Sequence, residues 1–427
     1  MNPKEYKEQL IGQYADFRSA QNGHSKTDFH NNGEQLLAKL KGMDFPTKRH
    51  EEWKYTTLDR VLKKSPKIAS AGADVTAEWL QDYAIEGLET TTIVLVNGKL
   101  ISNNELPTEV TLDAFTKGSN DVVAPTDTDD IFENINRAFS VDSIKITVKA
   151  NAVIEKPITI INVLDAEADA VFAQRNIELS IGTSAQVTFI ERQITKGINT
   201  SLANGLTNVK VEKNANVHHI VLQNDVEYAS QVNRIYVSQN RDSVYSNYCF
   251  SLSGEIVRNN LHISLDDENT IGNMYGLYLL DGKEHVDNHS VVDHRFPNCE
   301  SNELYKGVLN GNSVGVFNGK IFVREDAQKT NAYQQNRNLL ISDNATINTK
   351  PQLEIWADDV KCSHGCTVGQ LDDEQLFYLR SRGIDTETSR ALMVYAFASE
   401  IVEKLPIDVL KKYLFKKISQ KLAFELA

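Results

Sequence analysis

The order of apolar and polar positions divides the chain into three stretches of different period. Over the first ~90 residues the period is helical. Between Lys4 and Asn22 the apolar positions Leu10, Ile11, Tyr14 and Phe17 fall at helical spacing, and Gly23 is a natural stop. A second helix is expected over Glu34 to Lys41, with Leu36, Leu37 and Leu40 apolar and Gly42 behind it. The basic-aromatic segment FPTKRHEEWKYT, residues 45–56, comes next. The run TIVLVNG from Thr92 reads as a strand entering an Asn-Gly turn, because Val, Ile and Leu crowd it.

From about Ile144 to Trp356 the helical period fades and short alternating runs take over. They share a pattern: apolar, any residue, apolar, three residues of any kind, Ala, any residue, apolar. It occurs as Ile146, Val148, Ala152, Ile154; as Leu179, Ile181, Ala185, Val187; as Val209, Val211, Ala215, Val217; and as Leu339, Ile341, Ala345, Ile347. Two weaker copies are Ile263, Leu265, Asn269, Ile271 and Ile321, Val323, Ala327, Lys329. Residues two apart on a strand share a face, so each copy starts with a two-residue apolar face. The triplet after it is a turn, the Ala fits an inside corner, and the last apolar residue starts another short strand. One such unit cannot bury its inner face, but a stack of them can, as a solenoid with an apolar lumen. An antiparallel sandwich would show the same alternation. The irregular spacing suits a β-helix with loops of varied length better than a propeller.

The last ~65 residues return to a helical period. Leu371 to Arg382 has Leu376, Phe377 and Leu379 apolar, acidic residues in its first turn and Arg380 and Arg382 in its last, which complements the helix dipole. Gly383 suits the C′ position. Asp385 is placed to cap a helix running through Ala391, Leu392, Tyr395, Ala398 and Val402 to Pro406. Asp408 is placed to cap a third, with Leu410, Leu414, Ile418 and Leu422 four apart. Such a helical group could dock a partner or cap the end of the solenoid.

Composition narrows the function classes. The 427 residues carry 45 Lys and Arg against 58 Asp and Glu, a formal net charge of −13, which argues against gripping phosphate backbones. No run approaches the ~18 apolar residues of a membrane span. The beginning MNPKEYKEQL lacks a basic region followed by an apolar run, so no secretory signal is expected, and the early acidic residues disfavour a transit peptide. Cys249, Cys299, Cys362 and Cys366 are sparse, which points to a reducing cytoplasm rather than a disulfide framework. There is no GxxxxGK(S/T) loop, no GxGxxG before a helix, no HExxH and no GxSxG, so no Walker-type ATP site is expected.

Two segments are dense in reactive side chains. In VKCSHGCTVGQLD, residues 360–372, Cys362, His364 and Cys366 alternate and would face one side of a strand. Fully extended, the outer thiols would be ~13 Å apart, too far for one ion, unless Gly365 kinks the chain. Thiolate and imidazole suit zinc, Cu(I) or iron–sulfur species; two small buried thiols and a core histidine would read the same. In HVDNHSVVDHRFPNCESNELYKG, residues 285–307, alternation puts His285, Asp287 and His289 on one face, with His294, Asp293 and Cys299 further on. Their spacing matches no metal signature, and a polar wall is the favoured reading.

The segment DDVKCSHGCTVGQLDDEQLFYLRSRGI, residues 358–384, resembles the C-terminal signature of the SufB/SufD family of iron–sulfur cluster assembly proteins. FPTKRHEEWKYT and the stretch from His285 through PNCESNELYKG agree, and the KCSHG signature is most similar to the SufD branch. The resemblance implies a mainly β fold: a right-handed parallel β-helix core (91–356) between N-terminal (1–90) and C-terminal (357–427) α-helical domains. It implies a non-catalytic, cytoplasmic scaffold that pairs with a SufB-like paralogue, forms a homodimer when isolated, and binds a SufC-like ABC ATPase. The candidate ATPase contacts are Leu376, Phe377, Tyr378, Arg380 and Arg382. His364, and second Cys362, become candidate iron or cluster ligands at the SufB interface, with no cofactor held tightly and at most transient iron or cluster in the complex. Cys366 stands where relatives usually carry Ala; it is an extra ligand of this lineage or an inert small residue, and the inert reading is favoured. The competing reading is a β-helix polysaccharide-active enzyme. That would ask for export, a Ca²⁺ or paired-carboxylate cleft and aromatic sugar platforms.

Overall fold

The recurring corner motif folds as the turns of a parallel β-solenoid. The computed structural model describes residues 2–20, 33–69, 75–115 and 130–422. Successive strands from Ser143–Val148 to Val360–Gly369 alternate between two ten-stranded sheets, giving about eight turns. The first sheet ends on Thr346–Ile355 and the second on Val360–Gly369. Thr91–Val96 pairs in parallel with Ile158–Ala166 in the second sheet, and Asn97-Gly98 turns it back into Lys99–Asn103. The strand Val360–Gly369 extends the solenoid past Trp356, so a core ending at 356 stops one strand short.

Register explains why the pattern was readable and where it lapsed. Its first apolar slot forms one unbroken column: Ile146, Leu179, Val209, Val237, Ile263, Val292, Ile321 and Leu353. The second slot forms another, from Val148 through Ile181, Val211, Gln239, Leu265, His294 and Val323 to Ile355. Gln239 and His294 are fully buried in that column and hide two turns from a search for apolar pairs. Each is held by hydrogen bonds, Gln239 Nε2 to Ile271 O at 3.1 Å and His294 Nε2 to Ser301 Oγ at 2.9 Å. Each branched aliphatic side chain in the lumen contributes roughly 1.5–3 kcal/mol.

The corner is tighter than the pattern suggested. From the first sheet to the second, a residue at positive φ precedes a small buried one: Asn151–Ala152, Ser184–Ala185, Asn214–Ala215, Asp242–Ser243, Asn269–Thr270, Asn298–Cys299 and Lys329–Thr330. Asn269 and Lys329 are therefore the left-handed residues of their corners, and Thr270 and Thr330 fill the inside position. The copy at Leu339 to Ile347 is the opposite corner, from the second sheet to the first. Neighbouring corners are stitched together, Ser184 N to Lys213 O and Asn214 N to Arg241 O, both at 2.9 Å.

Helices cover the outside of both sheets, so strands such as Val171–Ile181 are buried on both faces. Helices α1 (Pro3–Ala20), α2 (Gly33–Gly42), α3 (Asp59–Leu62), α4 (Ala77–Gln81) and α5 (Ile131–Phe139) precede the main solenoid turns. Tyr6, Leu10, Tyr14 and Phe17 of α1 join Phe132 and Phe139 of α5 against Phe172, Leu202, Val232 and Ile256 of the first sheet, while Ile11 lies off that face. Helices α6 (Asp373–Ser381), α7 (Thr386–Val402) and α8 (Asp408–Lys421) follow the last strand. Val394, Ala398, Ile401, Leu410, Leu414 and Ile418 pack on Ile220, Tyr248, Phe250, Leu277 and Leu304 of the second sheet. The C-terminal helices thus lie along the solenoid and do not cap its end. Asp385 caps α7 as expected, and Asp372, expected inside the first turn, is the N-cap of α6. Asp408 is the first helical residue of α8 and Ile407 its N-cap, so no side chain caps that helix.

The left-handed corners generate a stability test. Asn214→Val should cost about 1–2 kcal/mol, because a β-branched residue pays the full left-handed penalty. Asn214→Gly should stay near wild type. Urea midpoints of the two variants decide it.

Candidate functional site

Burial along the solenoid ends abruptly at one tip. Strands in its middle are buried along most of their length, Thr346–Ile355 is largely half-buried, and Val360–Gly369 is mostly exposed. These two are the terminal strands of their sheets, so each offers a row of unpaired backbone donors and acceptors. Such an edge is a template for another strand.

Cys362, His364 and Cys366 lie on this last strand, in register with Ala332, Gln334 and Asn336. Those three partners are fully buried, so the Cys-His-Cys alternation lines the mouth of the lumen. The strand runs unbroken through Gly365, so the kink that would bring the two thiols together is not made. Half-buried Cys362 packs against the cluster of Ile321, Val323, Ala327, Ala332 and Ala357, and burial pushes its thiol up, which disfavours the thiolate. Cys366 is exposed and not a buried stand-in for Ala; its Sγ donates to Thr349 Oγ1 at 3.1 Å. All four cysteines are free. His364 is exposed. Among the described residues no three His, Cys, Asp or Glu side chains converge as a metal site requires.

One rung deeper the lumen turns polar. Gln334 Nε2 donates to Glu303 Oε2 at 2.7 Å, and Ser290 Oγ donates to Glu303 Oε1. Burial, opposed by those two hydrogen bonds, lifts the Glu303 carboxyl to about 7. Sequence reasoning missed this pair, because polar residues at alternate positions read as an outward face.

The two N-terminal and central motifs meet on the outer wall of the first sheet. His285, Asp287 and His289 do share a face, and the segment around Trp53 covers it. Thr56 Oγ1 donates to Asp287 and lies 2.9 Å from His285 Nε2. His289 sits 3.0 Å from Asp287 and 3.2 Å from Glu52, and Lys320 Nζ reaches Glu52 at 2.5 Å. The Arg258 guanidinium bonds Asp287 at 2.6 Å and lies 4.3 Å from the Trp53 ring centroid. Burial alone would raise the Asp287 carboxyl, but Arg258 and His289 hold it far below the usual range. This cluster is consumed in fastening the N-terminal segment.

Helix α6 is built differently from its neighbours. None of its residues is buried, and Phe377 and Tyr378 are 72% and 57% exposed. Asp373, Glu374, Phe377, Tyr378 and Ser381 line a shallow groove. Arg382 lies 5.3 Å from the Tyr378 ring centroid, Arg380 is exposed and Leu376 is half-buried. An exposed aromatic pair edged by charge is what a protein interface presents before it is covered.

Comparison with known proteins gives consistent matches. Residues 162–397 match the family model described as SUF system FeS cluster assembly, SufBD core domain, and residues 4–160 match the SufBD protein N-terminal region. An iron–sulfur cluster assembly SufBD family protein of Synechocystis is 31% identical, covering 91% of this chain and 90% of its own. The iron–sulfur cluster assembly protein SufD of Escherichia coli is 30% identical over 91% of this chain and 92% of its own. A chloroplastic protein of Arabidopsis thaliana, ABCI7, is 28% identical over 85% and 79%. No described helix is long and apolar enough to cross a membrane.

The wall contacts predict acid loosening of the N-terminal segment. Burial lowers the His285 imidazole from 6.5 to about 4, with Asp287 opposing and Arg60, Arg258 and Lys48 adding to the shift. Docking favours the neutral ring, so its stabilisation is intact above 6.5 and drains away as pH falls toward 4. Depressed Asp287 acts in the same direction at still lower pH. Hydrogen exchange of residues 50–56, corrected for intrinsic rate, should quicken from pH 7 to pH 5, and His285→Gln should flatten that dependence.

Proposed function

The chain belongs to the SufBD family of iron–sulfur cluster assembly proteins, and from that premise we propose that it is the SufD-type scaffold subunit of a SufBCD-type complex. Its role lies in iron–sulfur cluster assembly. The observation that carries the finer reading is the uncovered last rung with His364 at its mouth. A SufB-like solenoid docked there would continue both sheets and satisfy the unpaired edges. In isolation a second copy of this chain would serve the same edges.

Iron and sulfide are cargo in this scheme. At the mouth this chain offers the exposed His364 imidazole, the half-buried Cys362 thiol and the exposed Cys366 thiol, the last engaged by Thr349, so the remaining ligands come from the partner. Near pH 7 a neutral imidazole can ligate iron without first losing a proton. The raised Cys362 thiol makes it the weaker donor until metal displaces its proton. The chain acts as a non-catalytic cytoplasmic subunit with no resident cofactor.

The groove on α6, lined by Phe377 and Tyr378 and flanked by Leu376, Arg380 and Arg382, would receive a SufC-like ABC ATPase, the separate source of the missing phosphate loop. Motion of that ATPase has a physical route inward. Lys306, on the outer face of the second sheet, donates to Phe397 O of α7 at 2.8 Å and pairs with Glu400. The same strand, Glu300–Leu309, carries Glu303 on its lumen side.

Co-expression with the two partner subunits tests each half. His364→Ala should leave the complex assembled but lower anaerobic iron retention at least tenfold, with Cys362→Ala causing a smaller loss. Phe377→Ala combined with Tyr378→Ala should abolish ATPase capture while solenoid pairing persists. Normal iron retention in His364→Ala would remove the ligand role.

A further inference from the structure

The polar rung under His364 has one acceptor with no donor. Gln334 is fully buried, and its Nε2 is committed to Glu303 at 2.7 Å, which fixes the direction of the amide. Glu303 is itself held by Ser290 on the opposite sheet. The other end of the amide, Oε1, is buried and has no hydrogen-bond partner. An unpaired buried acceptor is costly and is retained where a donor arrives later. Room for the amide is built in: a Cβ on Gly319, across the lumen, would lie 2.3 Å from Gln334 Nε2.

The residue in register with Gln334 on the last rung is His364. Its lumen-side neighbours are thiols, which are weak donors, and Cys366 is already engaged by Thr349. An imidazole N–H is the strong donor at this position. A histidine that ligates a metal through one nitrogen usually donates its other N–H to such an acceptor, which fixes both tautomer and ring orientation.

We propose that Gln334, anchored by Glu303, is the positioning residue for His364: Gln334 Oε1 accepts one ring N–H when the mouth is covered and directs the other nitrogen's lone pair at the incoming iron. This deepens the reading of His364 as an iron ligand and rests on it.

The test uses the co-expressed complex, Fe(II) added anaerobically, and ¹⁵N NMR of labelled histidine to read the His364 tautomer. His364→Ala identifies the His364 signal and must lose iron; if it does not, the ligand reading falls and this inference with it. Given that loss, Gln334→Leu should weaken Fe(II) binding by about ten- to a hundredfold and turn one tautomer into a mixture. Gln334→Glu combined with Glu303→Gln, which exchanges donor and acceptor between the two and keeps an acceptor toward the mouth, should restore both. Should Gln334→Leu fail to fold, the near-isosteric Gln334→Met carries the same expectation. Wild-type affinity with a single tautomer in Gln334→Leu or Gln334→Met would overturn the positioning role and leave His364 a ligand. Failure of the exchanged pair to rescue would also overturn it.

Discussion

Every turn of this solenoid borrows its hydrogen bonds and its apolar cover from the next turn. In parallel register, Val237 is flanked by Val209 on one side and Ile263 on the other, and no rung is complete alone. The constraint has an unavoidable consequence at the last rung, which has a neighbour on one side only. At the opposite tip the antiparallel strands Lys99–Asn103 and Val110–Phe115 close the two sheets. Nothing comparable follows Thr346–Ile355 and Val360–Gly369, whose outer edges pair with no described strand. The exposed backbone, the mouth of the lumen and the residues lining it all follow from that asymmetry.

The rest of the molecule is arranged around keeping the sheets covered and that tip bare. Helices α1, α2, α3 and α5 clad the first sheet, and α4, α7 and α8 clad the second. Covering both faces makes the strands rigid and buried, so a displacement at Lys306 on the outside is also a displacement of Glu303 on the inside. The path from α7 to the mouth is short: Phe397 and Glu400, Lys306, Glu303, then Gln334, with His364 on the adjoining rung. On the docking proposed above, this route would carry a partner's motion to an imidazole without loosening the core.

Much of the fold was legible in the chain because stacking demands repetition. The columns from Ile146 to Leu353 and from Val148 to Ile355 had to be mostly apolar, and small residues had to occupy the corners. Legibility failed where a different chemistry met the same demand. Gln239 and His294 fill apolar slots because each finds a hydrogen-bond partner inside the lumen. Thr270, one position after the expected slot, and Thr330, three after it, fill corners in place of Ala because the left-handed residue sits before them. Helix α6 read as amphipathic in the ordinary sense, yet Phe377 faces outward, since apolar spacing does not say whether the surface it fits belongs to this chain. The metal-capable run at His285 read as a wall and is one; that it fastens the Trp53 segment required seeing residues more than two hundred positions apart brought together.

Local periodicity was enough to read the stacked turns, the helical stretches before and after them and the alternation that sends Cys362, His364 and Cys366 to one side of a strand, because parallel stacking only repeats a local pattern; that the helices clad the sheets was not in it. Tertiary structure alone decided that this strand is the last, that its lumen side opens to solvent, and that Glu303 and Gln334 stand beneath it. Which edge is left unpaired, and which polar groups share a rung, depend on how turns of unequal length come into register, and no local pattern encodes that sum.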